Sequence, residues 1–129
     1  MEETRLAVNG ILMRGQPLNG NLLSVGAKFV REDRTAPFYR LWLIDERYPA
    51  MLRDEAQGAE IQVEIWKISE SGVLHILASE PAGLCIGKIE LQSGNYVLGV
   101  LVENFIVAGR EEITRYGGWR NYLANARAG

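Results

Sequence analysis

The chain is 129 residues long, enough for one domain built around a single core. Hydrophobic residues make up 47% and charged residues 23% of it, the proportions of a folded globular protein, which argues against disorder. With 14 Lys and Arg scattered among 16 Asp and Glu, the net charge of −2 leaves no basic excess to displace counterions from a phosphate backbone, so no nucleic-acid partner is expected.

In chain order, residues 5–13 alternate at Leu6 and Val8 before becoming continuously apolar, as a half-buried strand does. Met13-Arg14-Gly15-Gln16-Pro17-Leu18-Asn19 then puts a cation, a tight turn and two amides at a helix entrance. Gly10 and Gly15 permit a positive φ or close approach to the backbone, and Asn19 can accept from the N–H groups that open a helix. That helix is expected over 18–25, ended by Gly26. Strands follow at 27–34 and 38–44, then a long crossover, then a strand at 60–68 whose strict alternation predicts one face in water. Ser69 caps a helix over 70–78, stopped by Pro81, with Val73, Leu74 and Leu77 as its buried stripe and His75 turned to solvent. Strands at 86–91 and 96–102 form a hairpin through Gln92-Ser93-Gly94-Asn95. The second of them is apolar on both faces and belongs mid-sheet, with Gly99 marking a bulge or close contact. A last helix runs over 119–127. Strands and helices mixed in this way indicate an α+β fold with the strands in one curved sheet, and neither a P-loop nor a dinucleotide fingerprint is present.

The lone Cys85, flanked by Leu84 and Ile86, reads as a small buried hydrophobe. One Cys and one His supply no metal-ligand spacing, so neither metal nor cofactor is expected. Glu2, Glu3 and Arg5 lead straight into a strand pattern with no signal-peptide character, and no apolar run approaches the roughly 20 residues that span a bilayer. A cytoplasmic protein without a membrane partner is the expectation. Trp42, Trp66 and Tyr122 are candidates either for the core or for a homodimer contact.

Five runs carry a family resemblance: the turn Arg14-Gly15-Gln16-Pro17-Leu18-Asn19, Gly26-Ala27-Lys28-Phe29-Val30, Thr35-Ala36-Pro37-Phe38-Tyr39-Arg40-Leu41-Trp42, Ile86-Gly87-Lys88-Ile89-Glu90-Leu91, and Ile113-Thr114-Arg115-Tyr116-Gly117-Gly118-Trp119-Arg120-Asn121-Tyr122-Leu123. In this order they resemble the C-terminal domain of allophanate hydrolases, within the γ-glutamylcyclotransferase-like superfamily, over nearly the whole chain. The resemblance implies one domain over residues 1–129, built as a small mixed curved sheet or partly closed β-barrel flanked by short helices. It places the pocket between the loop after the first strand and the segment after the second helix. The length leaves no room for the serine amidase domain of full-length relatives, so the chain resembles a free-standing copy of the second domain, with a separately encoded amidase as candidate partner.

Three sets of residues could furnish a pocket for a small carboxylate or amide. Asn9, Gly10, Met13, Arg14, Gln16 and Asn19 offer backbone donors, amides and one guanidinium able to grip a carboxylate. Thr35, Pro37, Tyr39 and Arg40 could wall it. Glu80 and Glu103, each just past an apolar segment, are the candidate catalytic carboxylates for proton transfer. Against these stand plainer readings: Arg14 and Arg40 in surface ion pairs, Glu103 as a strand terminator, and Gly117-Gly118-Trp119-Arg120 as the dock of the last helix.

The resemblance splits the function three ways. The allophanate domains are implicated in decarboxylating N-carboxycarbamate to ammonia and carbon dioxide, yet Leu12 stands where they usually carry a His. Glu80 stands in the segment where γ-glutamylcyclotransferases, which release 5-oxoproline, place their acid, yet Asn9-Gly10-Ile11-Leu12 replaces their Tyr-Gly-Ser/Thr-Leu. The third reading is a non-catalytic metabolite-binding or amidase-assembly module.

Overall fold

The alternation at Leu6 and Val8 yields β1 (Thr4–Val8), the middle of a five-stranded sheet. The computed structural model describes residues 4–128, with side chains through residue 126. After β1 come α1 (Asn19–Ser24), β2 (Lys28–Arg34), β3 (Tyr39–Ile44), β4 (Tyr48–Arg53), β5 (Gln62–Ile68), α2 (Glu70–Ser79), β6 (Leu84–Glu90), β7 (Tyr96–Val102), β8 (Glu111–Glu112) and α3 (Trp119–Ala128). The large sheet runs β2-β5-β1-β7-β6, with β1 antiparallel to β5 and parallel to β7. Its two edge strands meet at a Thr35–Leu91 bridge, where the Ala36 N–H donates to Glu90 O at 2.9 Å and the Gln92 N–H to Arg34 O at 3.0 Å. The sheet is thus curved and touches itself at one point without closing into a barrel. This is a mixed α+β fold.

A second sheet, β4-β3-β8, lies across the curve. Tyr39, Leu41 and Met51 from it pack with Ala7, Val63, Ile65 and Ile89 of the large sheet. On the other face of the large sheet, Leu6, Val8 and Trp66 pack beneath Leu22 of α1 and Ile76 of α2. The expected close contact at Gly99 is real: a Cβ there would run into the Ile89 side chain and lie 3.1 Å from Ala7 O.

Four expectations need correction. The strands form two sheets, not one, because β3 pairs with β4 and β8 and leaves the large sheet. The crossover after β3 contains β4, hidden in the sequence by Pro49 and by a turn with no Gly. Pro49 is tolerated because β4 is an edge strand. The first strand stops at Val8, and residues 9–13 turn away instead. In α2, Gly72, Val73 and Ile76 are buried while Leu74 is 67% and Leu77 37% exposed. A Cβ at Gly72 would lie 2.8 Å from Ile68, so this glycine is the point of closest approach and turns the two leucines outward. The Ser69 cap forms as expected, accepting from the Gly72 N–H at 3.0 Å.

Candidate functional site

Pro81 cannot follow a helical residue comfortably, so Glu80 leaves α2 in extended geometry (φ −83°, ψ 152°). Glu80 lines a narrow crevice of about 30 Å³ together with Asn9, Gly10, Ile11, Leu12 and Tyr48, closed by the apolar Val8, Pro49, Leu84 and Val100. Burial pushes the Glu80 carboxyl above its ordinary range. Among the described residues, no Arg or Lys lines the crevice.

The facing turn is built from inside. The Met13 N–H donates to Gly10 O at 3.0 Å, the Leu18 N–H to Ile11 O at 2.9 Å, and Asn19 Nδ2 to Leu12 O at 2.9 Å. All three carbonyls are therefore held within the protein. The N–H groups of Gly10, Ile11 and Leu12 have no protein acceptor among the described residues, and successive free N–H groups at a turn suit an anion or carbonyl oxygen. Asn9 is buried and donates from Nδ2 to Val100 O at 3.1 Å, tying the turn to β7. Gly10 has no substitute, since a Cβ there would enter the Pro49 ring.

Arg14 lies elsewhere. Its guanidinium stacks on Phe29, 3.7 Å from the ring centroid, and pairs through Nε with Glu64 at 3.1 Å and through a terminal nitrogen with Glu32 at 3.3 Å. Glu64, fully buried, also accepts from the Arg14 backbone N–H at 2.9 Å, from Trp66 Nε1 at 3.2 Å and from Arg120 at 2.8 Å. Arg120 in turn donates to Arg14 O at 2.7 Å. Burial alone would raise the Glu64 carboxyl, but these donors outweigh it and hold it below its ordinary value. The cluster binds the turn to α3. The strand face expected in water is therefore covered, since Arg14, Arg120 and the backbone near Gly118 lie over Gln62 and Glu64.

The remaining candidates also separate. Gln16 accepts from Trp119 Nε1 at 3.1 Å, so it faces α3. Asn19 acts as a donor to Leu12 and not as a helix cap. Met13 is core. Thr35, fully buried, accepts from the Ile61 N–H at 2.9 Å, and the Tyr39 hydroxyl accepts from the Glu90 N–H at 2.9 Å, both at strand junctions. Pro37 is exposed. Arg40 grips Glu112 through two nitrogens, at 2.9 and 2.7 Å, and Asp54 at 3.1 Å. Glu103 is exposed beyond β7 and does not line the crevice. Of the expected pocket the structure brings together Asn9, Gly10 and Glu80, and it moves Arg14, Gln16, Thr35, Pro37, Tyr39, Arg40 and Glu103 away from them. Trp42 and Trp66 are core and Tyr122 is half-buried. Glu64 and Tyr48 were not among the sequence candidates. Glu64 is masked by an alternation typical of a wet strand face, and Tyr48 sits in the hidden strand.

A pH prediction arises from Arg40. Its hydrogen bonds to Glu112 hold that carboxyl at about 2, against an ordinary 4.5. A carboxyl lowered on folding adds stability that is complete above its ordinary value and is lost as pH falls through the folded one. The urea midpoint should therefore fall between pH 4.5 and about 2, and Glu112→Gln should flatten that fall. An unchanged profile in the variant would remove Glu112 as a cause.

Among the described residues, no helix is long and apolar enough to cross a membrane, and no three His, Cys, Asp or Glu side chains gather as metal ligands. Comparison with known proteins places this geometry in context. The urea amidolyase of Lachancea kluyveri is 30% identical over 129 residues, covering 95% of this chain and 7% of that protein. The chain thus spans a small fraction of the curated relatives that it matches. The crystal structure of a uropathogenic E. coli-specific protein is 52% identical with a TM-score of 0.93, covering 96% of this chain and 98% of that one. An AIG2-like protein of Mus musculus shares the fold at 20% identity, with a TM-score of 0.63 over 81% of this chain and 78% of its own. Residues 4–124 match the model of the allophanate hydrolase C-terminal domain, and the chain belongs to that family.

Proposed function

We propose that the chain is a small-molecule enzyme of allophanate or urea breakdown, acting as one unit on a carboxylated nitrogen compound, with Glu80 as proton donor and the turn at Gly10, Ile11 and Leu12 as oxyanion cradle. The observation that supports it most is that Glu80, whose carboxyl burial pushes above its ordinary range, shares one crevice with Gly10, Ile11 and Leu12, whose N–H groups have no protein acceptor among the described residues. For N-carboxycarbamate the step balances simply. The C–N bond breaks, carbon dioxide leaves, the electron pair stays on nitrogen and takes the Glu80 proton, and carbamate remains. Water reprotonates Glu80. A second such cleavage gives ammonia and carbon dioxide. A neutral acid is what this chemistry needs, since an ionised one would repel the substrate and have no proton to give. A ligand larger than one water enters a crevice of about 30 Å³ only as the half-buried Tyr48 and Leu84 give way.

A second reading is favoured by the lack of a cation in the crevice. The uncharged amide of a γ-glutamyl compound needs no cation there: its α-amine attacks the γ-carbonyl carbon, the amide C–N bond breaks, and Glu80 gives its proton to the leaving amine and takes one from the attacking amine as 5-oxoproline forms. The test is to assay the protein for ammonia release from N-carboxycarbamate generated in place by an amidase, and for 5-oxoproline release from γ-glutamyl dipeptides. Glu80→Gln should lower the active reaction by about 10²-fold or more, and Glu103→Gln should leave it unchanged. Turnover in neither assay would favour a non-catalytic module that binds a metabolite or joins a separately encoded amidase.

A further inference from the structure

Across Ile11 from the crevice lies an open groove of about 580 Å³, within the range of roughly 300–1,000 Å³ typical of small-molecule sites. Trp119 and Tyr122 form its floor, their rings stacked at 5.5 Å with an interplanar angle of 21°. On one wall is Gln16, whose Oε1 is occupied by the Trp119 indole, so its amide NH₂ is the group left for a ligand. On the other are Glu46 and Arg47, from the turn between β3 and β4.

That turn is strained in a particular way. Asp45 (φ 52°) and Glu46 (φ 57°) are both left-handed, a geometry that ordinarily selects Asn-Gly in a two-residue hairpin. Asp tolerates it, and Asp45 is further held by an ion pair with Arg110. Glu46 has no such support. Glu46 and Arg47 are both exposed, and neither forms an ion pair among the described residues. A left-handed turn thus presents an acid and a base, side by side, at the mouth of an aromatic groove. Strain of this kind is concentrated at functional positions. The Glu46 charge also reaches the floor: the Tyr122 phenol is pushed up by burial first and then by Glu111 and Glu46.

We propose that this groove is a second binding site, separate from the crevice, for a small zwitterion with a planar or branched apolar side chain. Its ammonium rests on Glu46, its carboxylate on Arg47 and the Gln16 amide, and its side chain on Tyr122 and Leu123.

The experiment is a titration of the ¹⁵N-labelled full chain with L-phenylalanine and L-leucine, read at the Trp119 indole, the Gln16 side-chain amide and the Arg47 backbone. N-acetyl-L-phenylalanine and L-phenylalanine amide, each lacking one charge, should bind about tenfold more weakly or worse. Glu46→Gly should raise the melting temperature, because it relieves the left-handed turn, and yet weaken L-phenylalanine by about tenfold or more. Arg47→Gln should weaken it similarly in a protein whose spectrum shows it folded. Glu80→Gln should bind L-phenylalanine as the parent does, so the site stands or falls independently of the crevice. Unmoved groove signals with both amino acids, equal binding of the blocked forms, or full affinity in Glu46→Gly would overturn the proposal.

Discussion

Glu64→Ala is expected to destabilise the protein by about 2–4 kcal/mol, one of the two largest losses predicted for a single substitution. The carboxylate is fully buried and is the common acceptor of Arg14, through both its backbone and its guanidinium, of Trp66 and of Arg120. Removing it leaves the Trp66 indole N–H and the Arg14 backbone N–H without an acceptor in a cavity. The two arginine side chains are 45% and 33% exposed and can turn to water, which keeps the loss below that of a wholly buried ion triad. Because α3 is tied to the turn through this carboxylate, the variant should also lose protection from hydrogen exchange in α3 before the large sheet does. Arg14→Ala should cost much less, about 1 kcal/mol, since its side chain is 45% exposed and one of its two ion-pair partners, Glu32, is exposed as well. Urea denaturation measures both. A Glu64→Ala loss no greater than that of Arg14→Ala would mean that the cluster does not hold the turn.

Gly58→Ala should be comparably damaging, at about 3 kcal/mol. The cause is not backbone conformation, because Gly58 does not occupy the left-handed region. A Cβ there would meet the Phe38 carbonyl carbon, the Tyr39 nitrogen and the Asp54 carbonyl oxygen, all backbone atoms that cannot rotate aside. The next residue, Ala59, forms the bridge to Tyr39, donating from N–H at 2.8 Å and accepting at 3.2 Å. Relief of the clash therefore breaks the bridge that anchors the loop after β4 on β3. Gly15 is the useful contrast: it has φ +76° and open space around it, so Ala there should cost only about 1–2 kcal/mol. Equal losses at the two positions, by thermal or urea unfolding, would contradict this account.

The sequence revealed its regular elements where one principle dominated. The apolar run of β7, the Ser69 cap and the Pro81 stop of α2 are local signals, and each element lies within a few residues of its expected place. What stayed hidden depends on tertiary partners. β4 carries Pro49, acceptable because β4 is an edge strand among the described residues, and its hairpin turn uses Asp45 and Glu46 in left-handed geometry where Gly would have been the signal. Glu64 alternates like a solvent-facing residue until Arg14 and Arg120, from 50 and 56 positions away, close over it. The same closure explains why the site was only partly legible. Gly10 and Glu80, both expected in the pocket, line one crevice, whereas Arg14, expected to grip a ligand, is held by a buried carboxylate of its own protein.

An amide-resolved NMR titration with malonate tests most directly whether the crevice between Glu80 and the turn at Gly10, Ile11 and Leu12 is the working site. The turn amides of these three residues should shift on binding. Affinity should fall as pH rises through the raised Glu80 value, because a neutral carboxyl accepts an anion that an ionised one repels, and Glu80→Gln should remove that dependence while still binding. Malonate that shifts residues around Arg14, Glu64 and Arg120 and leaves the turn amides unmoved would place the site elsewhere and contradict the account.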